Sequence, residues 1–220
     1  MLLYLIRHAQ TASSAVDSFN GQLDLPLTAH GREQAALLGK RLAKVPFSAV
    51  YRSPLDRTRE TACLVAPSFA DQLITLPGLI ELNYGAWEGR SAQEAAASWP
   101  LEYAAWQGDP EKHAPPGGET GKQVAERAVA ALEWIRARHE DSKDSNLKGP
   151  ALVVSHKATL RIAFCALLGV PLDSYRKSIS QDECALNLVE LRKGKAPFVR
   201  LWNDTAHLGM DPAETTRAGH

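Results

Sequence analysis

The sequence predicts an α/β protein: a three-layer sandwich with a mostly parallel central sheet, helices on both faces and a helical insertion. Two observations carry that reading. Short apolar runs of β character alternate with helical patterns, and no internal repeat or low-complexity linker breaks the alternation. The chain, 220 residues long, can also bury one substantial core. Strands alternating with helices pair in parallel, because the crossover helices need both faces of the sheet.

Taken in order, LLYLI (2–6) is the first expected strand, and Thr28 to Val45 follows as a helix with Ala35, Leu38, Leu42 and Val45 on its apolar side. FSAVY (47–51) is a second strand, leading to a helix from about Leu55 to Val65. Ser53 is a suitable N-cap there, and Pro54 a suitable first helical residue. QLITL (72–76) is a third strand. ALVVS (151–155), bounded by Gly149-Pro150, is a fourth and runs into a helix ending at Leu168. ALNLVEL and PFVRLW, separated by Arg-Lys-Gly-Lys, form a closing hairpin.

Between Ser91 and Glu140 the pattern is helical, broken by the Pro/Gly-rich APPGGET (114–120). Thr120 and Gln123 make a capping box that opens a helix to about His139. Residues 91–140 are expected to be an insertion or lid within a single domain spanning 1–220, with 203–220 as a C-terminal tail. EDSKDSNLKG (140–149) reads as a solvated loop.

Composition narrows the partners. Lys plus Arg and Asp plus Glu each total 25, so a net charge near zero argues against nucleic acid as the main partner. No apolar run reaches the roughly 18 residues needed to cross a membrane, and the amino-terminal run is too short for a secretory signal. Cys63, Cys165 and Cys184 show no metal-ligand or redox spacing and are expected as reduced structural thiols of a cytoplasmic protein. An isologous homodimer is the ordinary expectation for assembly.

In open α/β sheets, ligands bind beyond the carboxyl ends of the strands. The first strand delivers Arg7-His8 there, the second delivers SPLDRTRET with Arg57, and the fourth delivers His156. Glu81 follows the third strand in the glycine-broken ELNYGAWEG. Arginine offers phosphate a planar fork of donors. A neutral imidazole is a competent nucleophile when one nitrogen is held as a donor. A second histidine can stabilise the transferring phosphoryl group, and a carboxyl group can protonate the leaving oxygen and later activate water. The set suits phosphoryl transfer through a phosphohistidine, with no metal and no cofactor. D-x-D, H-C-x5-R, H-E-x-x-H and G-x-x-x-x-G-K-[ST] motifs are absent. The remaining histidines show no ligand spacing, and His113 is expected at the surface.

RHAQT, FNGQLDLPLTAHGREQA, YRSPLDRTRETA, ELNYGAWEG, GGET and VSHKATLR occur in that order across nearly the whole chain. Together they resemble the histidine phosphatase, or phosphoglycerate mutase-like, superfamily. The resemblance implies an α/β sandwich and these roles: His8 as the phosphorylated nucleophile, Arg7, Arg57 and His156 as phosphate-binding companions, and Glu81 as proton donor. It places Ser14, Asn20, Gly21, Tyr84 and Lys157 among the substrate-binding residues. Three positions depart from the pattern: Ala9 replaces a glycine, Lys157-Ala158 replaces small residues after the second histidine, and Ser14 stands where asparagine is common.

The resemblance implies a metal-independent phosphomonoesterase acting on a small phosphorylated metabolite, of the phosphoserine, α-ribazole phosphate, phosphoglycerate or sugar phosphate type. The alternative is a phosphoglycerate mutase, and a third reading is a non-catalytic phosphate-binding protein. Leu82 directly after Glu81, and an insertion offering Lys112 and Lys122 but no arginine pair, favour the hydrolase; Tyr84 is the mutase-like feature retained. Trp87, Trp99, Trp106 and His207 are candidate contacts that set specificity.

Overall fold

The computed structural model describes residues 1–12 and 18–209. Six strands, β1 (Leu2–Arg7), β2 (Ala49–Arg52), β3 (Ile74–Thr75), β4 (Ala151–Ser155), β5 (Leu186–Arg192) and β6 (Lys195–Asp204), form one sheet in the order β3-β2-β4-β1-β5-β6. β1 and β2 flank β4 in parallel, and β3 adds to β2 in parallel. β5 runs antiparallel to β1, and β6 antiparallel to β5, so the expected hairpin closes the sheet.

The pleat sorts the apolar residues to two faces. Leu3 and Leu5 of β1, with Ala151 and Val153 of β4, pack against Ala128, Leu132 and Ile135 of α5 (Gly121–Glu140) and against Leu160 and Ala163 of α6 (Lys157–Leu168). On the other face Ile6, Val50, Leu152 and Val154 meet Ala35, Leu38 and Leu42 of α1 (Ala29–Leu42) and Ala62 and Val65 of α2 (Asp56–Val65). These are the three expected layers. A third cluster joins Phe19, Leu82, Tyr84 and Trp87 to Trp106 of α4 (Pro100–Gly108) and Ala95 of α3 (Ala92–Ser98), with Tyr175 of α7 (Tyr175–Ser178) beside them.

Several elements differ from expectation. α1 ends at Leu42, not Val45: Pro46 disfavours the helical conformation in the residue before it, and Val45 N–H closes a turn on Leu42 O. β2 is displaced to 49–52, and β3 shrinks to two residues because Pro77 opens a 3-10 turn just beyond it. α2 begins at Asp56 with Leu55 in the cap position, so Ser53 is not its N-cap. The Asp24 carboxylate does that work from another loop, accepting from the amides of Asp56 (2.6 Å) and Arg57 (3.4 Å). The expected capping box at Thr120 and Gln123 is present.

The stretch 91–140 divides in two. α3 and α4 build the aromatic cluster, but α5 is a sheet-covering helix whose Leu132 and Ile135 lie in the central core. A lid helix could lose a core contact at little cost to the whole molecule, whereas a core helix could not. Leu132→Ala should therefore lower the stability to urea by about 2–5 kcal/mol. A loss below about 1 kcal/mol would return α5 to the insertion.

Candidate active site

β1, β2 and β4 end side by side, which carries Arg7, Ser53 and His156 to one edge of the sheet. The amide of His8 donates to Ser155 O (2.9 Å), and Arg7 pairs with Ser155 in register. The His8 and His156 rings consequently lie 5.1 Å apart between centroids, at 61°. Both residues are buried.

His8 Nδ1 lies 2.7 Å from Ala9 O. A carbonyl can only accept, so Nδ1 carries the hydrogen and Nε2 keeps its lone pair. Ala9 is fully buried and is not among the residues with positive φ; its amide donates to Thr61 Oγ1 at 3.1 Å. The alanine that replaces the family glycine therefore causes no backbone strain. Burial, followed by the charges of Arg57 and Arg7, holds His8 well below its ordinary pKa, opposed by the bond to Ala9. His156 is lowered in the same way by burial and by Arg57, with His8, Arg127 and Arg7 adding to it.

His156 Nε2 is 2.7 Å from Ser53 Oγ, and its Nδ1 is buried without a partner. Arg7 Nε is likewise buried and unpartnered, while its Nη1 donates to Gln181 O (2.9 Å) and its Nη2 meets Glu183 at 3.5 Å. Unsatisfied buried polar groups cost about 1–3 kcal/mol each. An oxyanion is the ligand whose acceptors answer the Arg7 Nε–H, and His156 Nδ1 offers it a second donor in the tautomer in which Ser53 Oγ–H donates to Nε2.

Arg57 is equally buried, yet its terminal nitrogens donate to Gly21 O and Leu23 O at 2.6 Å each. The arginine thus braces the 21–24 loop as well as charging the site, and it pairs with Asp24 at 3.7 Å. Gly21 has φ +46, and a Cβ there would lie 2.2 Å from Glu88 Oε1, which also accepts from the Gln22 amide. Asn20 accepts from Ser18 Oγ at 3.2 Å.

Glu81 is buried rather than an exposed loop acid. Its Oε1 accepts from Leu82 N (2.9 Å), Thr159 N (3.0 Å) and Thr159 Oγ1 (3.0 Å), and its Oε2 from Ala158 N (3.2 Å). The Ala158 and Thr159 amides belong to the first turn of α6, where the helix presents its positive end. Arg127 holds the backbone beneath, donating to Gly78 O, Ile80 O and Glu81 O while it ion-pairs with Glu119 of GGET.

Tyr84 lies in the aromatic cluster, 4.9 Å from Phe19 between ring centroids, and burial raises its pKa well above the ordinary value. Lys157 is the half-buried first residue of α6, Ser14 lies outside the described residues, and His113 is exposed. Trp87 and Trp106 are fully buried core residues and not surface contacts. Among the described residues there is no cluster able to hold a metal ion, and no helix is long and apolar enough to cross a membrane.

Sequence reasoning missed Ser53, whose place after a strand resembled a cap, and Thr159, which lies inside the quoted VSHKATLR. It also missed Arg127, Gln181 and Glu183, which approach the site from distant segments and carry no local signal.

A buried histidine pair among arginines, at the carboxyl edge of a doubly covered sheet, defines a phosphate-handling α/β protein. The model of the histidine phosphatase superfamily (branch 1) matches residues 3–205, and the chain belongs to that family. It is 32% identical to phosphoserine phosphatase 1 of Hydrogenobacter thermophilus, over 98% of both chains. It is 31% identical to the metal-independent phosphoserine phosphatase of Arabidopsis thaliana, over 94% of this chain and 82% of that one. The crystal structure of the α-ribazole phosphatase from Shigella flexneri superposes with a TM-score of 0.79 at 28% identity, covering 93% and 97% of the two chains.

Four histidines have folded pKa values below the ordinary 6.5: His8, His139 and His156 by direction, and His207 at about 4, all mainly through burial. Below pH 6.5 the unfolded chain binds protons that these folded sites refuse. Their stabilisation is thus complete above that pH and is lost as pH falls through it toward the folded values. Urea midpoints measured from pH 8 to pH 5 should be level at first and then drop. A level midpoint down to pH 5 would contradict the buried neutral histidines.

Proposed function

We propose that the protein is a metal-independent phosphomonoesterase that hydrolyses a small phosphorylated metabolite through a phosphohistidine at His8. The observation that carries this reading is the fixed tautomer of His8. Its Nδ1–H is committed to Ala9 O, burial and two arginines keep the ring neutral, and Nε2 is left as a nucleophile. In the first step Nε2 forms a bond to phosphorus as the ester oxygen departs with a proton. In the second, water cleaves the N–P bond, and inorganic phosphate leaves.

Arg7 Nε supplies an unpartnered donor for the phosphoryl oxygens, His156 Nδ1 adds one in the tautomer whose Nε2 accepts from Ser53 Oγ–H, and the Arg57 guanidinium supplies further positive charge. Glu81 is the proton carrier. It accepts the proton of the attacking water and delivers one to the leaving oxygen from Oε2, which has a single backbone partner. Asn20, Gly21, Tyr84 and Lys157 complete the substrate-binding set, and Ser14 belongs to it by resemblance alone. Three free cysteines support a reducing, cytoplasmic location.

The mutase alternative is weaker. Leu82, where a mutase would place a substrate-gripping arginine, is 1% exposed and part of the core, and Lys112 is exposed and paired with Asp109. The names of the relatives point to phosphoserine and α-ribazole phosphate as substrates to assay first, with 3-phosphoglycerate beside them.

The protein should hydrolyse p-nitrophenyl phosphate in excess chelator and trap acid-labile phosphate on His8. His8→Ala should lower kcat by at least about 10³-fold, and undiminished turnover would sink the mechanism. Glu81→Gln should slow phosphoserine more than p-nitrophenyl phosphate, because nitrophenolate leaves without a proton. Equal losses on both esters would remove Glu81 as donor to the leaving oxygen. With 3-phosphoglycerate and a bisphosphoglycerate primer, phosphate release should outrun isomerisation; the reverse would restore the mutase.

A further inference from the structure

The turn between α7 and β5 is built around Arg7. Gln181 O accepts from Arg7 Nη1 (2.9 Å), Cys184 N–H donates to Arg7 O (3.2 Å), and the Glu183 carboxylate faces Nη2 at 3.5 Å. Cys184 is fully buried at φ +53, a conformation that side chains other than glycine seldom adopt. The turn is fastened from behind. Asn187 Nδ2 bridges Leu5 O and Gln181 Oε1, while Asp182 N–H donates to Asn203 Oδ1 and Asn203 Nδ2 returns a bond to Asp182. Glu183 is therefore held where it is by its backbone.

The two acids beside the site arginines are not equivalent. Asp24, next to Arg57, is occupied by the first amides of α2. Glu183 has Arg7 as its one polar partner among the described residues, and the pair is largely buried, with side-chain exposures of 13% and 17%. A carboxylate in that position opposes any dianion that reaches Arg7, and partial burial weakens the screening that would normally hide it. A site needing only maximal phosphate affinity gains nothing from such a charge.

We propose that Glu183 is a positioning residue that acts through Arg7: it aligns the guanidinium in the resting site and weakens the hold on phosphate, so that the product leaves. The inference rests on the phosphatase reading for its purpose, but its physical content is the affinity of this site for a phosphate dianion. Hydrolysis leaves free inorganic phosphate in the site with no ester group to make further contacts, so its hold depends on the charges and donors around Arg7.

The test compares the wild-type full-length protein with Glu183→Gln and Glu183→Asp. Glutamine keeps the length and an oxygen for Nη2 but removes the charge; aspartate keeps the charge. Binding of inorganic phosphate is read by calorimetry, and its Ki, with KM and kcat, on p-nitrophenyl phosphate. Glu183→Gln should tighten phosphate about tenfold in both Kd and Ki, lower KM and leave kcat no higher than wild type. Glu183→Asp should stay within about twofold of wild type for phosphate. Loosening of Arg7 alone would weaken phosphate in both variants, and that result, or an unchanged Kd in the glutamine variant, overturns the proposal. Tight phosphate binding without turnover on any ester overturns the phosphatase reading and leaves the Glu183 comparison standing. No phosphate binding by any of the three proteins overturns both.

Discussion

The parallel pairing of β1 with β4 is the constraint on which the site depends. Arg7 lies opposite Ser155, so the two chains leave the sheet together and His8 and His156 emerge as neighbours from segments nearly 150 residues apart in the numbering. The His8 amide still bonds Ser155 O one step beyond the paired strands, which extends the ladder to the site. A slip of one residue in that register would turn each histidine to the opposite face. Both strand ends are buried between helical layers, so a slip would also bury charge without partners.

Burial then decides the protonation states. Two imidazoles 5.1 Å apart between ring centroids, among several arginines, are disfavoured as imidazolium ions, and desolvation pushes each toward the neutral form. The same burial that keeps His8 neutral raises the cost of leaving His156 Nδ1 and Arg7 Nε without partners. Among the described residues the site is rich in arginine, buried and incompletely bonded, and the unpartnered Arg7 Nε is of the kind a phosphoryl oxygen satisfies. The acid partners moderate the excess positive charge, Asp24 at Arg57 and Glu183 at Arg7.

Around this centre many of the supporting contacts run from side chain to backbone. Arg57 grips the carbonyls of the 21–23 loop, Arg127 the carbonyls of 78–81, and Glu81 the first amides of α6. Such bonds fix loops that have little core of their own, since a backbone carbonyl cannot change rotamer. The aromatic cluster of Phe19, Tyr84, Trp87 and Trp106 ties the same loops to α3 and α4. That cluster explains why Trp87 and Trp106, attractive as ligand contacts from sequence, are interior residues, while Trp99 packs against it only partly buried.

Local pattern was enough for the layer architecture, the closing hairpin, the capping box at Thr120 and the segments that carry His8, Arg57, Glu81 and His156, because each is written in contiguous residues. The family motifs made the site legible as a set, and the family match agrees with them. What lay outside reach is non-local. Ser53 has the sequence environment of a helix cap, but only the proximity of β2 and β4 turns its hydroxyl to His156. α5 has the same amphipathic pattern whether it covers a sheet or a lid, and the packing of Leu132 and Ile135 settles which. Glu183 is one acid among many in the chain until the β5 turn folds it against Arg7. Sequence by itself determined which chemistry the chain carries, since side-chain type and local periodicity are properties of single segments. Tertiary structure alone decided which groups are buried together and therefore which protons they keep, since desolvation and Coulomb coupling depend on distance and not on order along the chain.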